Sequence, residues 1–191
     1  MHFEFIINSM TRYIAFLRAI NVGGRSLTME TLRQLLEPLG FTDVATFIGS
    51  GNVIFETTDQ ETPALGRKIE ARLGEALGYE VSTFIRTVTE LARIAAYEPF
   101  PASRLESTDL VEVIFLADEL ERPLQQQVEA LGTELDEYRV HGREIYWLRH
   151  RPPGAPAYTT APLEKTLNRP FTIRGSKTVQ KIVAKYGGVT K

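Results

Sequence analysis

The sequence predicts an α+β chain: two ferredoxin-like (βαββαβ-type) subdomains in tandem, the second lacking its last strand and ending in a helix. Three observations predict it. Apolar patterns from Tyr13 to Arg86 follow the order β-α-β-β-α-β. The first five elements of that order return between Leu110 and Leu167, and a proline-containing polar stretch at 98–109 separates the two series. Right-handed crossovers close such a series as a four-stranded sheet with both helices on one face. The expected organisation is an N-terminal extension at 1–11, a first subdomain at 12–97, a linker at 98–109 and a second subdomain at 110–191 with a basic C-terminal helix.

Each element has a local reason. In the extension, Phe3, Phe5 and Ile7 alternate as an extra edge strand would. Tyr13–Arg18 is apolar and β-rich, as a strand buried on both faces requires. Thr28 is placed to cap a helix, Glu30 complements its dipole, and Met29, Leu32, Leu35, Leu36 and Leu39 line one face before Gly40 stops it. Val44–Ile48 and Asn52–Thr57 read as paired strands around Gly49–Gly51. Thr62-Pro63 opens a helix striped by Leu65, Ile69, Leu73 and Leu77, and Gly78 closes it. Glu80–Arg86 is the last strand of the first half. Thr87-Val88-Thr89-Glu90 is a capping box for a helix that stops before Pro99.

In the second half Leu110–Leu116 is a strand and Pro123–Leu131 a helix. Leu135–Val140 and Glu144–Arg149 form a hairpin across His141-Gly142. Pro162–Leu167 is a short helix, and Lys177–Tyr186 replaces the missing strand. Tyr146 and Trp147 alternate faces, so one is expected in the core and the other as a stacking platform.

Composition removes several chemistries. With no cysteine, disulfides, thiol nucleophiles and thiolate-bound metals are excluded. His2, His141 and His150 have no zinc-like spacing. No apolar run approaches the roughly 20 residues of a membrane span, and Met1–Met10 lacks the basic region of a signal peptide. A soluble cytoplasmic protein is expected. The formal net charge of −2 hides an asymmetry: residues 139–191 hold eleven Lys and Arg against Glu144 and Glu164 alone. Such a tail either meets an anionic partner or neutralises the acidic remainder of the chain, and the second reading is slightly favoured.

The material for a site lies in two polar glycine loops and the basic tail. Arg18, Asn21, Gly23, Gly24 and Arg25 precede a helix, in a loop that matches neither the P-loop nor the dinucleotide fingerprint yet has the form of an anion-binding turn. Ser50, Gly51 and Asn52 form the second loop, whose plainer reading as a hairpin turn is favoured about two to one. Lys177, Lys181 and Lys185 recur at i, i+4, i+8, with Arg174 just before them. A charged helix stripe is ordinarily a solvated face. Arg86 at a strand end and Glu56 beside the central hairpin are further cleft candidates, against a plainer reading as surface charges. No metal ligands, paired carboxylates or Ser-His-Asp arrangement stand out.

One run carries a resemblance. Tyr-Ile-Ala-Phe-Leu-Arg-Ala-Ile-Asn-Val-Gly-Gly at 13–24, Leu-Gly-Phe-Thr-Asp-Val at 39–44 and Ser-Gly-Asn-Val-Ile-Phe-Glu at 50–56 resemble the bacterial family known as domain of unknown function 1697 (DUF1697). Ile85-Arg86-Thr87, Pro99-Phe100-Pro101, Ile145-Tyr146, Thr172-Ile173-Arg174 and Thr178–Ile182 extend it along nearly the whole chain from residue 12. The resemblance implies two small α+β subdomains and supplies no reaction. The chain departs from the family at Ile173-Arg174-Gly175-Ser176-Lys177-Thr178, where Thr-Arg-Asn-Trp-Asn-Thr is usual. It departs again at Pro153–Tyr158, where a glycine with small polar and Ser-Lys residues is usual.

The function expected first is binding of an anionic or phosphate-bearing ligand in a groove between the subdomains. Arg18, Asn21, Ser50, Asn52 and Arg86 would line it from one side, and Arg174, Lys177 and Lys181 from the other, with guanidiniums as paired donors. The alternatives are an enzyme acting on a phosphorylated or nucleotide-like substrate, with Glu56 as its carboxylate, and a protein-interaction module with no small-molecule site. Nucleic acid is weakly signalled, because the basic helix carries no interleaved aromatics. The sequence names no cofactor and no oligomeric state.

Overall fold

The architecture comes from a computed structural model, which describes residues 10–18, 20, 27–48 and 51–188. The expected extension at 1–9 and the loop at 21–26 lie outside those residues. The chain divides into two compact units, Met1–Val88 and Thr89–Lys191.

The first unit contains β1 (Thr11–Leu17), α1 (Met29–Leu36), β2 (Thr42–Thr46), β3 (Asn52–Thr57), α2 (Thr62–Leu77) and β4 (Thr83–Thr87). The sheet order is β2-β3-β1-β4, and each neighbouring pair is antiparallel. Local chemistry places the helices. The Thr28 hydroxyl accepts from the Thr31 N–H at 3.1 Å, and Gly40 ends the following 3₁₀ turn in the left-handed region. Pro63 sits in the first turn of α2 and Gly78 closes it at φ 74°. Both helices pack on one sheet face, where Leu32, Leu36, Leu65, Ile69 and Leu73 meet Tyr13, Ala15, Leu17, Val53, Phe55 and Ile85.

The second unit takes in α3 (Val88–Ala96, from Thr89), β5 (Leu110–Phe115), α4 (Arg122–Glu129), β6 (Asp136–His141), β7 (Glu144–Arg149), α5 (Ala161–Leu167), β8 (Thr172–Gly175) and α6 (Ser176–Tyr186). Its sheet order, β6-β7-β5-β8, repeats that of the first, again antiparallel throughout.

This corrects the expectation that the second half lacks its last strand. β8 exists and pairs with β5 from Glu112↔Gly175 to Phe115↔Thr172. It was hidden because it is four residues long and runs into α6 without a turn, so its polar end reads as a helix approach. One face of this sheet carries Ile114, Ile145, Trp147 and Tyr138 against Leu163 and Leu167 of α5 and Val128 of α4. On the opposite face Val111, Val113 and Tyr146 meet residues of α3 and α6. Tyr146 and Trp147 are both buried, so neither is an open platform: each face of this strand is covered.

The repetition extends to one side chain. Arg86 stands opposite Ile14, and Arg174 opposite Val113, at equivalent places in the two sheets. Each guanidinium turns back on its own strand, Arg86 Nη1 donating to the Ile85 carbonyl at 2.8 Å and Arg174 Nη1 to the Ile173 carbonyl at 2.7 Å. Both are buried.

Candidate functional site

In the first unit the chain brings described parts of its two glycine loops to one end of the sheet. The Leu17 N–H donates to the Gly51 carbonyl at 2.9 Å, and Phe47 N–H to the Asn52 carbonyl at 3.0 Å. Gly51 has φ 71°, and a Cβ there would lie 2.7 Å from Ile20 Cγ2, so glycine is required twice over. Asn52 is fully buried and its Nδ2 donates to the Phe47 carbonyl at 2.9 Å, tying the turn closed. Arg18 is exposed, and its backbone N–H is held by the Ser82 carbonyl. Asn21, Gly23, Gly24, Arg25 and Ser50 lie outside the described residues. Glu56 is buried and accepts from Arg12 at 2.8 Å through Nε and 2.6 Å through Nη2. Its carboxylate is thus already committed to a cation directly opposite in the register.

In the second unit the chain builds a cavity of about 250 Å³ on the α3/α6 side of the sheet. Val111, Val113 and Tyr146 floor it; Ile94 and Ala95 of α3 and Val179 of α6 wall it, and Phe100, Ala102 and Leu105 close another side. Within the stretch expected as a linker, Phe100 is only 3% exposed, while residues 101–108 are exposed. The polar groups at the cavity are Glu98, the Tyr146 hydroxyl, Ser176 and Gln180. The hydroxyl donates to the Ile94 carbonyl at 3.3 Å.

Arg174 lies on the same face of the sheet, outside the residues that line the cavity. Tyr146, Val113 and Arg174 form one cross-strand row, so the arginine shares the face and the row of the cavity floor. Its Nη1 also donates to Thr172 Oγ1 at 2.8 Å. Burial lowers its pKa from the usual 12.5 to about 10, because a charge withdrawn from water is disfavoured. Lys177 and Lys181 are exposed on α6, one step around the helix from Ser176 and Gln180. Arg174, Lys177 and Lys181 belong to the second unit, on β8 and α6, while Arg18, Gly51, Asn52 and Arg86 belong to the first.

Sequence reasoning missed the cavity walls. Ile94, Phe100 and Val113 look like ordinary core, and only the register shows which face they share. The signal in the sequence was Leu105, an apolar residue within the polar stretch at 98–109; in the structure it and Tyr97 line the cavity, 38% and 39% exposed. Among the described residues no group of three or more His, Asp and Glu side chains is arranged to hold a metal ion. No helix among them is long and apolar enough to cross a membrane.

On the other face, Tyr138 is stacked on Trp147 with ring centroids 5.5 Å apart. Burial, helped by the Asp136 carboxylate, pushes its phenol up to about 12 against the opposing charges of Arg149 and Arg151. A raised phenol pKa means the fold favours the neutral form. That stabilisation is complete below the unfolded value of about 10 and is lost as pH rises from there through about 12. Tyr138→Phe is expected to flatten the fall of stability across this window, measured by denaturation at stepped alkaline pH.

Comparison with known proteins agrees with this architecture. The conserved bacterial protein SP0830 from Streptococcus pneumoniae is similar over 92% of this chain and 98% of that one, with a TM-score of 0.68 and 27% sequence identity. No curated protein matches the chain. The family model described as protein of unknown function (DUF1697) matches residues 10–146. By that match, which spans the whole first sheet and the second as far as Tyr146 in β7, the chain belongs to the DUF1697 family.

Proposed function

We propose that this protein is a small-molecule binder whose ligand, an apolar ring-sized body with one acidic group, enters the cavity between α3 and α6. The observation that carries the reading is a mostly apolar cavity with a buried arginine, Arg174, beside it on the same sheet face. A cavity of about 150 Å³ already admits benzene, so about 250 Å³ has room for a substituted ring. A few convergent polar groups within apolar walls are what fixes a ligand's orientation. Here Tyr146, Ser176 and Gln180 fill that role. Arg174, with Lys177 and Lys181 outside, supplies the positive charge that favours an acid over its neutral analogue. The strand order of each sheet also supports reading both halves as ferredoxin-like.

Thermal-shift screening of aromatic carboxylates and phosphates beside their neutral amides and alcohols tests this. Stabilisation by acids is expected, lost in Ala102→Trp, which fills the cavity from an exposed position. Arg174→Met is expected to weaken acids about tenfold, the worth of one charge-assisted hydrogen bond, and to leave neutral analogues unchanged. Equal stabilisation of native protein and Ala102→Trp would place binding elsewhere.

A further inference from the structure

On the opposite face of the second sheet, at the far end of β7, stands a cluster that the cavity does not use. Trp147 and Arg149 are two residues apart on β7, so their side chains point to one side, and Arg151, just beyond the strand, shares Asp136 with Trp147. Arg149 is 6% exposed. Its guanidinium lies 3.6 Å from the ring centre of Tyr158 and 4.9 Å from that of Trp147, and its Nη1 donates to Glu112 Oε2 at 2.7 Å. Arg151 Nη1 donates to the His150 carbonyl at 2.6 Å and its Nη2 to Asp136 Oδ1 at 3.2 Å. Asp136 Oδ1 also accepts from Trp147 Nε1 at 2.8 Å. Beside the pair, Asp109 is occupied with His150 at 2.9 Å.

Two donors are left over. The Nε atoms of Arg149 and of Arg151 are both buried without a hydrogen-bond partner. A buried guanidinium N–H that bonds nothing is unfavourable, and two within one cluster call for an acceptor. Over Arg149 lies Tyr158, which is 53% exposed and sits on a loop of no regular structure rich in proline. Pro152, Pro153, Gly154, Pro156 and Ala157 around it are exposed. The ring therefore rests on Arg149 by a cation–π contact and an edge contact of 5.7 Å with Trp147. Such a cover is easily lifted. Glu112, Asp136 and the stacked rings would hold both guanidiniums in place when it moves.

We propose that Arg149 and Arg151 form a binding site for one compact oxyanion, a carboxylate or a phosphate, closed in this structure by Tyr158. The left-over Nε donors are the groups the oxyanion meets, and Tyr158 swings out to admit it. Glu112 and Asp136 balance the two cations, so the site takes a single small anion and not a polyanion. It is independent of the α3/α6 cavity, and its test leaves that reading untouched.

Trp147 is the chain's one tryptophan, so its fluorescence reports this cluster alone. Native protein, Tyr158→Ala and Arg151→Gln are titrated with inorganic phosphate and, separately, with acetate, the ionic strength being matched with sodium chloride. A saturable change is expected in the native protein. Tyr158→Ala is expected to bind about fivefold more tightly, since the competing cation–π contact is gone. Arg151→Gln, a change at a side chain only partly buried, is expected to abolish saturation while circular dichroism stays native. The arm that saturates names the oxyanion. A flat or merely linear response in both native protein and Tyr158→Ala overturns the proposal. So does weaker binding in Tyr158→Ala, or full binding in Arg151→Gln.

Discussion

Gly51→Val is expected to destabilise the protein by about 2–4 kcal/mol, one of the two largest single effects anticipated here. Two independent causes add. Residue 51 has φ 71°, where a β-branched side chain is strained, and its Cβ would fall 2.7 Å from Ile20 Cγ2 and 3.1 Å from Leu17 Cβ. Neither neighbour can move cheaply. Leu17 is the last residue of β1 and is bonded to residue 51 through its own N–H, and Ile20 is 2% exposed. Gly51→Ala should show most of the loss and separate the backbone part from the extra bulk. Urea denaturation with an unchanged slope would attribute the loss to the native state. A loss below about 0.5 kcal/mol for valine, the scatter of ordinary surface changes, would contradict the close approach of these segments.

Trp147→Ala is the second, with an expected loss of about 3–5 kcal/mol. The side chain is 1% exposed in the core of the second unit, stacked on Tyr138 and lying under Arg149. Its removal empties the largest fully buried volume and takes from Asp136 the indole N–H that orients it. Trp147→Phe retains much of the ring and should lose about 1–2 kcal/mol, mainly the hydrogen bond. Equal losses for the two variants would mean that packing contributes little at this position.

How far the sequence led differs from element to element, and the reason is whether the signal was local. Thr28, Pro63, Gly40 and Gly78 act within a few residues of themselves, so the ends of α1 and α2 were legible. β7 was legible because Ile145–Leu148 is a β-rich apolar run that follows closely on the His141-Gly142 turn. β8 was not, since four residues carry too little periodicity and its pairing with β5 lies almost sixty positions away. The site follows the same rule. Lys177 and Lys181 were visible as a stripe on one helix, and Arg174 as a neighbouring charge. That Arg174 lies in one row with Val113 and Tyr146 depends on sheet register, which only the folded chain supplies. Arg149 is similar: Glu112 reaches it from β5, Asp136 stands opposite it on β6, and Tyr158 comes from a loop. The spacing of Trp147, Arg149 and Arg151 was the one local clue. Asn52 shows the converse, a residue typical of binding loops whose amide is spent on the Phe47 carbonyl.

Whether the cavity between α3 and α6 receives an acid-bearing ring is decided by where a bound ligand perturbs the chain. The most direct measurement is amide chemical-shift mapping of isotope-labelled protein titrated with an aromatic carboxylate found by thermal shift, alongside its neutral amide. The account predicts saturable shifts clustered at Ala95, Val113, Tyr146, Ser176 and Gln180, with the acid binding more tightly than the amide. Shifts confined to residues away from those five, or equal affinity for acid and amide, would contradict it.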